Sequence, residues 1–210
     1  MKQFRTYLFV LLSLVGIQSL AAAPKAETAA AVLSRCAARL NNAQSVTAAF
    51  TLTAGSSRYS CDMVIAKQKF RMNTPLMSVW YDGATQWVYD TRRHSLSITE
   101  PTADELMETN PFAILHHYGK SYTLRLLKSD MPGTKAVELT PKSPAMSSVR
   151  RATVTIDDKT SMPLRIAVTL SDGSTLSAAV ASCTAGKAVA PSTFVFPKKQ
   201  YKVDETIDLR

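Results

Sequence analysis

From residue 46 onward, apolar and polar residues alternate in short runs, and Gly, Asp, Asn, Pro and Ser collect between the runs. A period of two marks strands that bury one face. The pattern predicts strands at 46–53, 58–66, 69–73, 78–81, 86–90 and 96–99, then at 122–128, 135–140, 149–156, 164–170 and 175–183. Asp82-Gly83, Asp157-Asp158-Lys159 and Ser171-Asp172-Gly173-Ser174 supply hairpin connections between them. Spacings of about ten residues without intervening helices imply an antiparallel meander, closed or partly closed as a sandwich or barrel.

Two segments depart from that period. Residues 27–41 are rich in Ala and place Leu33, Ala37 and Leu40 at spacings of four and three, the stripe of an amphipathic helix that Asn41-Asn42 ends. Residues 102–119 also turn helical. Thr102 with Glu105 can form a capping box, Asn110-Pro111 sets a cap before a Pro at the first helical position, and Gly119 is a stop. Leu106, Met107, Phe112, Ile114 and Leu115 make this insertion apolar around much of its circumference, so it either plugs the sheet as core or covers it as a lid.

Composition moves the chain out of the cytoplasm. Lys2 and Arg5 precede an uncharged run that contains Leu8-Phe9-Val10-Leu11-Leu12 and closes on Ala21-Ala22-Ala23, the three parts of a secretory signal cleaved near Ala21 to Ala23. The apolar core is short for a membrane span. Residues 24–210 then form one domain, without internal repeat or low-complexity linker. The 25 basic and 16 acidic residues give a formal charge of +9; the leader holds two of the basic and none of the acidic, which leaves +7. Arg92-Arg93-His94, Arg150-Arg151 and Lys198-Lys199 lack the aromatic spacing of a nucleic-acid reader and are expected as solvated surface. Three cysteines allow at most one internal disulfide. Cys61 and Cys183 fall in predicted strands and are the candidate pair, whereas Cys36 lies on the apolar helix face as a buried thiol.

Catalytic chemistry finds little support. The seven glycines make neither a phosphate cradle nor a dinucleotide turn, and no Gly-x-Ser-x-Gly elbow is present. His116 and His117 are adjacent and diverge, and His94 sits beside two arginines, so no metal site is expected. Asp157-Asp158 is a turn pair. No catalytic residue and no cofactor is assigned.

The segment from Tyr81 to Asp90, with Trp87 and Tyr89 on one strand face, resembles the periplasmic carrier of outer-membrane lipoproteins, the LolA family, when taken with Phe70-Arg71 and Asn110-Pro111-Phe112. Arg39 to Thr51, Leu139-Thr140-Pro141-Lys142, Phe194-Val195-Phe196-Pro197 and Val203 to Asp208 extend the resemblance over roughly residues 27–210. It implies an incomplete antiparallel barrel, mainly β, covered by the first helix and by the 102–119 insertion as a lid. It also implies a periplasmic, monomeric, non-enzymatic carrier of acylated lipoproteins, served by an inner-membrane release complex and an outer-membrane acceptor. A lipid or glycolipid chaperone of another envelope pathway, a protein-binding sensor module and, more remotely, a hydrolase stay open beside it. The cavity expected from this likeness is lined by Phe50, Met63, Ile65, Phe70, Met72, Trp80, Trp87, Tyr89, Leu106, Met107, Phe112 and Leu115. Methionine repacks without a strict rotamer, which suits a pocket that must close when empty. In the family an Arg followed by Pro bonds to the lid carbonyls. Here Lys67 and Gln68 take those positions, and a lysine lacks the planar fork, so the implied latch is weaker and less directional.

Overall fold

The computed structural model describes residues 27–119 and 121–210. The leader expected over residues 1–23 lies outside them. Helix α1 spans Ala29–Asn41; the Thr28 hydroxyl accepts from the Ala31 amide at 3.2 Å, satisfying one of the amides that a helix start leaves free. Its buried stripe is Val32, Leu33, Cys36, Ala37 and Leu40. Six strands follow: β1 Ser45–Ala54, β2 Ser57–Ala66, β3 Lys69–Asn73, β4 Met77–Tyr81, β5 Gln86–Asp90 and β6 Ser95–Thr99. Then come α2 Ala103–Thr109, a 3-10 turn Pro111–Ala113 and α3 Ile114–His117. Strands β7 Tyr122–Leu127, β8 Thr134–Pro141, β9 Val149–Asp157, β10 Pro163–Leu170, β11 Thr175–Gly186 and β12 Glu205–Asp208 complete the chain.

Among the described residues the strands form one sheet of twelve, in the order β12-β6-β5-β4-β3-β2-β1-β11-β10-β9-β8-β7. That order begins and ends on different strands, so the barrel is incomplete. Every pairing is antiparallel except that of β12 with β6. Turn chemistry fixes the hairpins. The Asp82 carboxylate accepts from the Ala84 and Thr85 amides at 3.0 and 2.9 Å while Gly83 takes φ +104°, a conformation closed to most side chains. Asp157 accepts from the Lys159 and Thr160 amides at 3.1 and 2.7 Å, which closes the turn before β10.

Both faces of the β3 to β6 end are covered. On one, the lid face, α1, α2 and α3 pack against apolar residues of β1 to β4 and β7 to β11 in a single core that includes Val46, Phe50, Met63, Met72, Leu139 and Val154. On the other, the outer face, Trp80, Tyr89, Leu96 and Ile98 pack against Phe196. The residues after β11 form a strap that brings Phe196 and Tyr201 onto this face before β12 joins the sheet edge. The Phe194 to Pro197 stretch, which resembles closing strands, is not a strand: Phe194 ends a 3-10 turn, Pro191–Phe194, and Phe196 beyond it packs through its ring.

The expected Cys61 to Cys183 disulfide is absent, and all three cysteines are free thiols. Cys61 on β2 lies opposite Phe50, and Cys183 on β11 lies opposite Ala48, so strand β1 runs between them. Adjacent strands are about 4.8 Å apart, and two strands flanking a third are therefore about 10 Å apart, beyond the roughly 7 Å that a disulfide bridges.

Candidate functional site

The lid is assembled by local sequence signals. The Thr102 hydroxyl accepts from the Glu105 amide, and the Glu105 carboxylate accepts in return from the Thr102 amide at 2.7 Å, a complete capping box. The Thr102 amide first, and then the Thr102 hydroxyl, which donates to the same carboxylate at 2.9 Å, hold the Glu105 carboxyl below its ordinary range. Asn110 is buried and accepts from the Phe112 amide at 2.9 Å, which starts the 3-10 turn and aims Phe112 inward. The Phe112 ring meets Phe50 of β1 with centroids 5.3 Å apart. Tyr122 donates its hydroxyl to the Met107 sulfur at 3.8 Å, and burial, then the nearby Asp104 charge, pushes its phenol up.

Nine of the twelve residues expected around a cavity meet on this face: Phe50, Met63, Ile65, Phe70, Met72, Leu106, Met107, Phe112 and Leu115 all belong to the lid-face core. Trp80, Trp87 and Tyr89 do not. Trp80 and Trp87 are direct partners across β4 and β5, and both project onto the outer face with Tyr89. Period two put Trp87 and Tyr89 on one face correctly, but β4 reads Ser-Val-Trp-Tyr with apolar residues on both faces, which leaves the direction open. Val79, Tyr81 and Val88 face the lid instead.

The lid-face interior is closed. Between the lid and the β2–β3 hairpin, a gap bordered by Ile65, Gln68, Phe70 and Phe112 amounts to about 10 Å³, at or below what one water needs. Lys67 stands exposed in the hairpin turn at φ 56°, and among the described residues it donates to no lid carbonyl; Gln68, its neighbour, is the one beside the lid. Open space lies at the margin of the lid, where a cleft of about 320 Å³ is walled mainly by Leu52, Ala54, Tyr59, Leu76, Met77 and Leu176 and edged by Thr74, Asp90 and Thr109 of α2. Sequence reasoning missed this cleft. Leu52 continues the inward alternation of β1, and that signal could have found it. A larger cleft, about 770 Å³, runs along α1 beside Arg35, Arg39 and Lys159, with polar and apolar walls in about equal measure.

The three thiols sit against the same core. Burial first pushes Cys36 up to about 12, and Cys61 and Cys183 to about 11. Among the described residues no three His, Cys, Asp or Glu side chains are grouped to hold a metal, and no helix is long and apolar enough to cross a membrane.

The arrangement is a curled sheet whose lid seals an apolar interior, which suits reversible enclosure of an apolar ligand. A family model for the outer membrane lipoprotein carrier protein LolA matches residues 19–172. An uncharacterized conserved protein from Thermus thermophilus superposes with a TM-score of 0.55 at 12% identity, covering 84% of this chain and 96% of that one. A LolA superfamily protein from Nitrosomonas europaea is 12% identical over 85% and 99% of the two chains, with a TM-score of 0.40. The Mycobacterium tuberculosis lipoprotein LppX is 15% identical over 76% and 98%, with a TM-score of 0.41. A search of curated proteins finds no match.

Proposed function

Since the chain belongs to the family of the outer membrane lipoprotein carrier protein LolA, a binding and carrier fold of the bacterial envelope, we propose that it is an exported, non-enzymatic carrier that encloses the acyl chains of lipoproteins. In this reading it takes its cargo from an inner-membrane release complex and yields it to an outer-membrane acceptor. The observation that carries the proposal is that Leu52 and Leu176 of the apolar, lid-sealed core also wall the 320 Å³ cleft at the lid margin. Each buried methylene contributes about 0.8 kcal/mol, so one chain of about 14 methylenes gains roughly 11 kcal/mol before ordering costs. Binding on that scale is easy and release is hard, so the empty state must itself be stable enough to compete. A closed interior lined by Met63, Met72 and Met107 meets that need, because their side chains can repack as the lid leaves.

Mass spectrometry of organic extracts from protein purified out of the periplasm, combined with titration of delipidated protein by a fluorescent fatty acid, tests the proposal. Co-purifying acylated peptide and saturable fatty-acid binding are expected. Absence of both, with a stable protein complex recovered in their place, would overturn it in favour of a protein-binding module.

A further inference from the structure

Helix α2 is fastened to the sheet at both of its ends. In its first turn, the Asp104 carboxylate accepts from the Ser147 hydroxyl at 2.7 Å. Its last residue, Thr109, accepts through its hydroxyl from the Gln86 side-chain amide at 3.1 Å. Ser147 precedes β9 and Gln86 opens β5, and six strands separate β5 from β9 in the sheet order. A helix of seven residues is only about 10 Å long. The helix is therefore a crossbar between two distant parts of the curled sheet, over the lid face.

We propose that the Ser147 to Asp104 and Gln86 to Thr109 hydrogen bonds are the latches that hold the lid shut, in the role that Lys67 does not fill. The inference rests on the carrier reading only for what the lid admits. The two latches are unequal. Gln86 is 5% exposed and the Thr109 hydroxyl also donates to the Leu106 carbonyl, so this end is the hinge. Asp104 and Ser147 border an open cleft of about 420 Å³ with Tyr122 and Lys142, where water can compete for both partners, so this end releases. Ser147 and Asp104 are thus positioning residues for the gate.

Hydrogen exchange of the α2 amides in the empty mature protein tests the proposal, with urea unfolding measured in parallel. Ser147→Ala is expected to speed α2 exchange about tenfold, the effect of losing one hydrogen bond to a charged acceptor, with a much smaller change in the global unfolding midpoint. Because the Ser147 hydroxyl also accepts from the Val149 amide at 3.2 Å, Asp104→Ala and the double variant complete a cycle. Since both single changes remove the same bond, the double variant should exchange no faster than the faster single one, and Ser147→Thr should restore slow exchange. Lys67→Ala should leave α2 unchanged. Unaltered α2 exchange in Ser147→Ala, or fully additive effects in the cycle, would overturn the latch. Fatty-acid association rates provide the separate arm: they should rise with α2 exchange, and if no variant binds fatty acid while the exchange cycle holds, the latch stands and the carrier reading falls.

Discussion

Trp80 and Phe196 meet edge to face, with ring centroids 5.2 Å apart and planes at 78°, across the outer face of the sheet. One residue comes from β4 and the other from the strap, so this contact pins the C-terminal segment to a strand more than a hundred residues earlier. Tyr201 adds rings against both Trp80 and Tyr89, and the Tyr89 hydroxyl donates to the Lys202 carbonyl at 2.8 Å. Phe196→Ala should therefore cost about 3 to 5 kcal/mol by denaturant unfolding, the usual range for emptying a buried phenylalanine site. The β12 amides should lose exchange protection with it, since the strap is what delivers β12 to β6. Retention of β12 protection in that variant would refute this account.

Both tryptophans of the chain, Trp80 and Trp87, lie with the outer cluster and face away from the lid. Tryptophan emission should consequently change little when a non-fluorescent fatty acid enters the lid-face interior, even as calorimetry records heat. Emission should shift to the red in Phe196→Ala without any ligand. A large emission change on fatty-acid binding to the parent protein would place the ligand on the outer face instead.

The difference between what was legible and what was not follows from the range of each signal. Strand positions, the capping box at Thr102 and Glu105, and the Asp82-Gly83 turn are local, and each appears where the pattern of neighbouring residues put it. The facing of Trp80 and Trp87 was not legible, because β4 is apolar on both sides and only the strap, more than a hundred residues away, decides which side is covered twice. The lid fastening was hidden for a similar reason. Asp104 and Ser147 are 43 residues apart, and nothing local marks a serine before β9 as the partner of an acid in α2. Lys67 drew attention through position in a family pattern, yet the turn that gives it φ 56° points it to solvent.

The thiols give a chemical check on the fold. A thiolate is the reactive form, and burial has raised Cys36 to about 12 and the other two to about 11, so alkylation of folded protein at neutral pH should be slow. Iodoacetamide labelling read by peptide mass should modify Cys183 first, since it is half-buried, and Cys36 last, since it is fully buried in α1. After unfolding without reductant, all three should label. A shortfall of two labels that reductant restores would show a disulfide after all.

Acid should loosen the lid through Glu105. Its folded carboxyl lies below the ordinary 4.5 because the capping box favours the charged form. The contribution is therefore present above the unfolded value and fades as pH falls through the lower folded one. In Glu105→Gln the box can persist without the charge. Urea midpoints of parent and variant should differ above the ordinary carboxylate range and converge as pH falls below it, with the parent the more stable at the higher pH. Equal offsets at both ends of that range would assign the difference to packing.

Phe112 decides whether the closed interior is a resting state or a permanent core. Its side chain is 1% exposed and its ring contacts Phe50, with Ile65 and Phe70 bordering the same narrow gap. Truncation to alanine should destabilise the empty protein by about 3 to 5 kcal/mol, because the site is filled and its loss leaves a cavity. The space left is apolar and stays dry, so it is a ready site for an alkyl chain. In the parent, by contrast, an entering chain must first displace the Phe112 ring and part the lid from β1. Phe112→Ala should thus bind a fluorescent fatty acid more tightly than the parent, and saturating fatty acid should return part of the lost stability to the variant. Denaturant unfolding of both proteins, with and without the probe, measures all of these quantities. If the variant loses the expected stability but recovers none of it with fatty acid, the interior is solid core and the lid does not open onto a cargo space.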